Sequence, residues 1–237
     1  MASTMKSAER LFNLVDFPDE ILYKVFACLD LKDLLNCGQV AKRFRNIAYD
    51  KFLWQRTVIS RQNISTAYIQ FILDRGCKYL DLSKSCIIDM TYPSDFNIFN
   101  NCAELTELNL ANTYMCIRET RLLVQNLTSK LKKINLGPLY IIDPDEHIKI
   151  LVENCNQLQE IHLYYRKSIT DSAITSVIEN LKNTLEILEL SRSCEKISYS
   201  KLLELRVMKK LKILKIRRYW ETRRLRTELQ NLKINED

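Results

Sequence analysis

The sequence has few of the residues that break or redirect a chain: 237 residues contain three glycines and four prolines. Long flexible linkers are built from such residues, so their scarcity excludes them. Histidine is rarer still, with only His147 and His162. Eight cysteines (28, 37, 77, 86, 102, 116, 155 and 194) include no Cys-x-x-Cys pair. A structural zinc site needs clustered thiolates or imidazoles, so neither metal nor disulfide is expected. There is no glycine-rich phosphate loop and no nucleophile–base relay, so no cofactor and no catalytic residue is expected. No apolar run reaches the ~18 residues a membrane span requires. Met1 to Lys6 lead into charge, not an apolar secretory core, so an intracellular protein of cytoplasm or nucleus is expected, without membrane contact.

What is present points to a folded, soluble chain, with 46% hydrophobic and 27% charged residues. The pattern Leu-x-x-Ile-x-Leu at Leu158–Leu163 recurs with first positions at Cys77, Leu105, Leu131, Leu158, Leu185 and Leu211, in steps of 28, 26, 27, 27 and 26. A period of 20–29 residues headed by this motif is the signature of leucine-rich repeats, each a short strand with a return helix. The expected fold class is α/β: a short all-α bundle, then a leucine-rich-repeat solenoid of about six β-α repeats forming a curved parallel sheet. Return helices are expected at Ile117–Ser129, Asp143–Asn154, Thr170–Asn180 and Ser198–Met208. Residues 59–76 read as a capping helix closed by Gly76.

Strand geometry sorts the motif into two faces, because successive side chains alternate. The first, fourth and sixth positions build the core, and the third, fifth and seventh face outward. The third column ends in two apolar residues, Ile187 and Ile213, while the fifth is polar throughout. The candidate partner-binding set is Glu160, His162, Tyr164, Ile187, Glu189, Arg192, Ile213, Lys215 and Arg217. Aromatic and Arg residues around an apolar centre are what binding hot spots favour. The alternative is that Ile187 and Ile213 lie beneath the C-terminal tail as ordinary core, and that His162 is a plain surface histidine.

Pro18 followed by Asp19 and Glu20 predicts a helix start. Ile21, Leu22, Val25, Phe26 and Leu29 then form an apolar stripe. Two further short helices carry Leu31, Leu34, Leu35 and Val40, Phe44, Ile47. The run Phe17-Pro18-Asp19-Glu20-Ile21-Leu22, then Asp33-Leu34-Leu35, Gln39 to Arg45, and Asp50-x-x-Leu53-Trp54 resembles an F-box. Phe17, Ala41 and Phe44 stand where Leu, Cys and Trp are usual in that family, all apolar exchanges. The resemblance implies docking onto a Skp-type adaptor, which bridges to a cullin scaffold of a ubiquitin ligase. It places Phe17, Pro18, Ile21, Leu22, Leu34, Leu35, Val40 and Phe44 at or near the adaptor, with Trp54 holding the helices together. The alternative is a helical cap on the repeats.

The organisation expected is a tail at 1–12, an F-box at 13–58, the capping or linker helix at 59–76, repeats at 77–219 and a C-terminal cap or tail at 220–237. Cysteine-containing leucine-rich repeats often follow F-boxes, and Cys102 and Cys155 sit before their strands in that manner. The function implied is that of a substrate receptor in a Skp–cullin–F-box ligase, without catalysis of its own. A non-degradative scaffold is the alternative. Net charge is +7, and residues 201–226 carry eleven Lys/Arg against Glu204 and Glu221, leaving −2 for the remainder. This basic segment reads as a solvated end, or as a site for an acidic or phosphorylated partner segment. No nucleic-acid recognition motif accompanies it, so no such partner is expected.

Overall fold

A computed structural model describes residues 13–88, 99–137, 143–163, 169–190, 195–216 and 222–236. The chain divides into two compact units, Met1–Leu53 and Trp54–Asp237.

In the first unit, a 3-10 turn at Leu14–Asp16 precedes α1 (Asp19–Phe26), α2 (Leu31–Val40), α3 (Lys42–Ala48) and the start of α4 (Lys51–Trp54). Pro18 caps α1 with Asp19 and Glu20 in its first turn, which combines a preset φ with negative charge at the positive end of the helix dipole. The Asp30 carboxylate caps α2, accepting from the Asp33 N–H at 2.8 Å. Helix α1 carries two apolar stripes where the sequence reading saw one. Leu22 and Phe26 are buried, while Ile21 and Val25 are exposed. Each pair is spaced i, i+4, and the stripes lie about 100° apart around the helix. Phe26 meets Phe44 edge-to-face at 5.5 Å, and Leu34, Ile47 and Ala48 complete the core. Gly38 lets α2 and α3 approach closely: a Cβ there would lie 3.3 Å from the Ala48 Cβ.

The second unit alternates strands and helices. In chain order these are β1 (Arg56–Val58), β2 (Asn63–Ile64), α5 (Thr66–Leu73), β3 (Tyr79–Asp81), β4 (Cys86–Ile87), β5 (Glu107–Asn109), α6 (Ile117–Asn126), β6 (Lys133–Asn135), α7 (Pro144–Asn154), β7 (Glu160–His162), α8 (Asp171–Leu181), β8 (Ile187–Glu189), α9 (Tyr199–Glu204), β9 (Ile213–Ile216), α10 (Thr222–Glu228) and β10 (Lys233–Glu236). Among the described residues, β1, β3 and β5 to β10 form one sheet of eight strands in that order, every pair parallel. Strands β2 and β4 make a separate two-stranded ladder.

The register reproduces the sequence period. Tyr79 pairs with Glu107, Glu107 with Lys133, Lys133 with Glu160, Glu160 with Ile187, and Ile187 with Ile213. These are the third positions of successive motifs. At the second position a carbonyl accepts twice from the next motif: Lys78 O receives the N–H groups of Thr106 (2.8 Å) and Glu107 (2.9 Å), and Lys132 O those of Gln159 (2.7 Å) and Glu160 (3.0 Å). Gln55 O does the same for Lys78 and Tyr79, both at 2.9 Å, which identifies Trp54 as the first position of a motif ahead of the six expected. The first, fourth and sixth columns are buried throughout the six, from Cys77, Leu80 and Leu82 to Leu211, Leu214 and Ile216.

Helix starts are polar at the same place in each unit. Asp143 caps α7 ahead of Pro144, Thr170 caps α8 and Ser198 caps α9, while Cys116 and Glu119 form a capping box on α6. Acidic residues at the helix starts also stitch neighbours together. Asp145 accepts from the Thr170 N–H at 3.0 Å and from its hydroxyl. Asp171 accepts from the Ser198 N–H at 2.7 Å and its hydroxyl at 2.6 Å.

The sheet runs past the expected array at both ends. Residues 59–76 are not one capping helix: β1 precedes them, β2 lies within them, and only Thr66–Leu73 is helical. Helix α5 is capped at Asp74, and Gly76 follows two residues on at φ 72°. Trp54 falls within this second unit, buried edge-to-face against Phe71 at 5.3 Å. Within the expected C-terminal cap or tail, the described residues form α10, after which the chain returns to the sheet as β10. Both end strands replace motif leucines, with Thr57 at the fourth position of β1 and Asn231 at the first position before β10. Residues 89–98, around Pro93, lie outside the described residues.

Two outcomes test this core. Ile161 is fully buried in the middle of the array, so Ile161→Ala should cost about 2–5 kcal/mol of unfolding free energy, measured by urea denaturation, whereas the exposed Ile117→Ala should cost far less. Burial pushes the Cys102 and Cys155 thiols up to about 12, so a thiol reagent should modify exposed Cys28 and Cys116 in the native protein and reach Cys102 and Cys155 only on unfolding. Modification of all four at one rate would contradict the assignment.

Candidate functional site

The first unit presents an apolar surface that its own core leaves uncovered. Pro18, Ile21 and Val25 follow i, i+3, i+7 spacing along α1 and are exposed. Leu14 and Val15 are exposed just ahead of them, and Val40 at the end of α2 is 71% exposed. Arg43 holds the segment that leads into α1 in place. Its guanidinium donates to Asp19 Oδ1 at 2.8 Å, to Val15 O at 2.7 Å and to Phe17 O at 2.6 Å. The planar fork suits this three-way clamp, and a Lys ammonium would not reproduce it. On another side the Tyr23 hydroxyl donates to Asp50 at 3.0 Å, and that bond is the main reason its phenol is raised above the ordinary value.

Of the eight residues expected at the adaptor surface, Pro18, Ile21 and Val40 are exposed, and Phe17 and Leu35 are half-buried. Leu22, Leu34 and Phe44 are buried: they form the hydrophobic core of α1–α3 and support the surface from beneath. The surface residues missed were Leu14, Val15, Val25 and the Arg43 clamp. Separating the 21/25 pair from the 22/26 pair would have found Val25. Arg43 carries no local signal, because its partners lie 24 to 28 residues earlier.

The second unit offers the open face of its sheet, lined by the third and fifth motif positions, half-buried from Tyr79 and Asp81 through to Ile213 and Lys215. Arg56 stacks over the Tyr79 ring at 3.8 Å. Asn109 donates to Asp81 at 3.0 Å. Lys133 bridges Glu107 (3.9 Å) and Glu160 (3.2 Å), and its hydrogen bond to Glu160 raises its ammonium above the ordinary value. His162 Nδ1 donates to Glu189 at 2.6 Å, with Nε2 3.8 Å from Glu160. Lys215 closes the row on Glu189 at 3.2 Å. From Glu107 to Lys215 the face is thus one connected row of ion pairs and hydrogen bonds across five strands. Acids and cations neutralise one another along it, so a partner is not drawn to it by net charge. His162 is a link in this row, not an isolated surface histidine.

Within the fifth column two roles separate. Asp81, Asn109 and Asn135 each accept from the N–H two residues on, at 2.8, 3.1 and 3.0 Å, closing the turn after their strand. His162, Glu189 and Lys215 bond across strands, as Asn109 also does to Asp81. A shallow depression of about 130 Å³ lies over Tyr79, Glu107, Asn109, Lys133, Glu160 and His162. Ile187 and Ile213 are adjacent by register, flanked by Glu160 on one side and Lys233 on the other. Both are half-buried, and the tail joins the sheet beside them as β10, in plane. Tyr164, Arg192 and Arg217 lie outside the described residues. In the seventh column, where described, Ala111 and Gly137 are buried and Ser83 is half-buried. Among the described residues, no group of His, Cys, Asp and Glu could hold a metal ion, and no helix is long and apolar enough to cross a membrane.

Residues 14–60 match the F-box-like family model. F-box domains bind Skp-type adaptors and are typically non-catalytic modules of ubiquitin ligases. The match spans α1 to α4 and ends just beyond β1.

The hydrogen bond from His162 and the charge of Lys215 hold the Glu189 carboxyl below its ordinary range, against the opposing effect of burial. A depressed native value means this carboxylate stabilises the fold above its unfolded pKa, and the contribution is lost as pH falls through the native value. Glu189→Gln should therefore lower the urea midpoint at pH ~7, with the gap to wild type shrinking below pH ~4. A gap that stays constant on acidification would remove Glu189 from the chain's energetics.

Proposed function

We propose that this chain is the substrate-recognition subunit of a Skp–cullin–F-box ubiquitin ligase. In this reading the second unit is a leucine-rich-repeat solenoid whose open face holds a target protein for ubiquitination and degradation, in cytoplasm or nucleus. The observation that carries it is the coincidence of the F-box-like match at residues 14–60 with a helical unit that leaves Pro18, Ile21, Val25 and Val40 uncovered. Exposed apolar side chains gathered on a small helical unit mark a docking surface.

The repeat period, the parallel register and the three buried columns support the solenoid reading. Eight strands spaced about 4.8 Å apart span roughly 34 Å, enough for an extended segment of about ten residues. Because the charges of the open face are already paired with one another, displacing any of them needs a replacement partner. Target choice then rests on hydrogen-bonding complementarity along the ladder and on apolar contact at Ile187 and Ile213, with Glu160, His162, Glu189 and Lys215 as the polar readers. Bringing target and ubiquitin carrier into one assembly raises the effective concentration of the target lysine. The transfer chemistry belongs to other subunits.

Affinity capture with mass spectrometry tests this on the full chain. Ile21→Asp with Val40→Asp alters exposed positions only, so the variant should fold normally. It should lose adaptor and cullin, by roughly tenfold or more, and retain the targets captured by wild type. Recovery of adaptor by the variant at wild-type level would sink the docking assignment. Targets whose half-lives do not lengthen on depletion of the chain would mark it as a scaffold instead.

A further inference from the structure

We propose a second binding surface at the edge of the sheet: a groove that takes an acidic peptide segment carrying one apolar side chain. It is separate from the open face and stands or falls apart from the receptor reading.

A cavity of about 290 Å³ opens between residues 205–212, which lead into β9, and residues 228–232, which lead into β10. Its floor is apolar: Leu205, Met208, Leu211 and Leu229 are buried, and Leu232 is half-exposed. One rim is cationic, formed by Arg206, Lys209 and Lys212, and Glu228 is the sole carboxylate of the lining. Lys212 is engaged by Glu186 at 2.6 Å. Arg206 and Lys209 are exposed and form no ion pair among the described residues.

Further positive charge converges on the same edge. The Lys209 N–H donates to Lys182 O at 3.2 Å, which sets exposed Lys182 beside the rim, with exposed Lys210 next in sequence. The Glu186 carboxyl is held below its ordinary range by its hydrogen bond from Lys212, with Lys210 contributing. The basic run of residues 201–226 therefore serves two places. Lys215 is consumed by Glu189 on the open face, while Arg206, Lys209 and Lys210 are left to the groove.

Charge complementarity selects an acidic occupant. The Arg206 fork pairs bidentately with a carboxylate or phosphate, and Lys209 adds a point charge beside it. The lining favours peptide over nucleic acid. Single strands bind through aromatic stacking platforms in a basic channel, and no aromatic residue lines this groove. Buried leucine and methionine with a half-exposed leucine at the mouth instead suit an aliphatic anchor.

Fluorescence anisotropy on the full chain tests the proposal, using a short labelled peptide of glutamates around one leucine as the probe. Wild type should bind it, and binding should weaken with salt. Arg206→Glu with Lys209→Glu should weaken it by about tenfold or more. Arg121→Glu with Lys149→Glu, the same charge change at exposed positions on α6 and α7, should leave it within about twofold. Leu232→Asp should also weaken it. Arg206→Gln with Lys209→Gln should weaken it in the same order, and keeps the test open if the reversal perturbs the fold by circular dichroism. The proposal is overturned if wild type does not bind the peptide or if both charge-reversal pairs weaken it alike. It is equally overturned if single-stranded DNA of matched charge competes as well as the unlabelled peptide.

Discussion

One backbone interaction governs the second unit: the carbonyl at the second motif position accepts two N–H groups from the motif that follows. Gln55, Lys78, Thr106, Lys132, Gln159 and Glu186 all do so. A parallel strand of three residues can form few hydrogen bonds of its own, and its single buried central residue cannot repay the entropy of ordering it. The shared carbonyl solves this by locking each strand to its neighbour at the point of entry, and so fixes the register in which the leucine columns stack. Spacing between motifs then has little room to vary, because an extra residue would have to be absorbed in the loop or helix without moving the entry point. The stitches from Asp145 to Thr170 and from Asp171 to Ser198 do the same on the helical side. No unit is stable alone, and each is finished by the next.

The same logic explains which parts of the fold were legible in the sequence. Interior strands have neighbours on both sides and need the full leucine set, so their period is plain. End strands are held from one side only, and their motifs decay. Trp54 and Thr57 stand where leucines would be, yet Gln55 O still accepts twice, and the strand forms. At the other end the register step from Ile213 to Lys233 is 20 residues, outside the 26–28 of the interior, so a search for the period passes over it. The turns were hidden for a different reason. Arg61, Lys84 and Asn112 adopt positive φ (61°, 60° and 57°) at equivalent places in three successive motifs, where glycine would have advertised the turn. Recurrence of this geometry on three different side chains shows that the stacked backbone, not the local residue, sets it.

On the open face, the polar side chains divide between closing turns and pairing across strands. Asp81, Asn109 and Asn135 spend their acceptors on their own turns. The carboxylates of Glu107, Glu160 and Glu189 accept instead from Lys133, His162 and Lys215, each pair part-exposed and individually weak. As a connected row they present a surface of fixed polarity and little net charge. Such a surface discriminates by geometry, since a partner must match donors and acceptors it displaces, and a mismatch leaves a buried group unpaired. Column reading placed these residues on one face, but it could not show that they pair with one another. That depends on side-chain reach between strands, which a column of letters does not encode.

The helical unit shows the opposite division. Neighbouring residues in sequence, Ile21 and Leu22, face solvent and the core, and α1 keeps the two apart by one residue's rotation of about 100°. Leu22 and Phe26 close on Phe44, so the fold is complete without Ile21, Val25 or Val40. Leaving those three in water stabilises nothing in the unit itself and raises the risk of association. Their exposure is therefore not a by-product of a small core running short of cover, since Ala48 and Gly38 show that the core is packed to contact where it needs to be. The Arg43 clamp reinforces the point. It holds the Val15–Phe17 backbone and Asp19 against α3, and so fixes the approach to Pro18 in one conformation. A strip that is both uncovered and held rigid has already met the conformational cost of docking before any partner arrives.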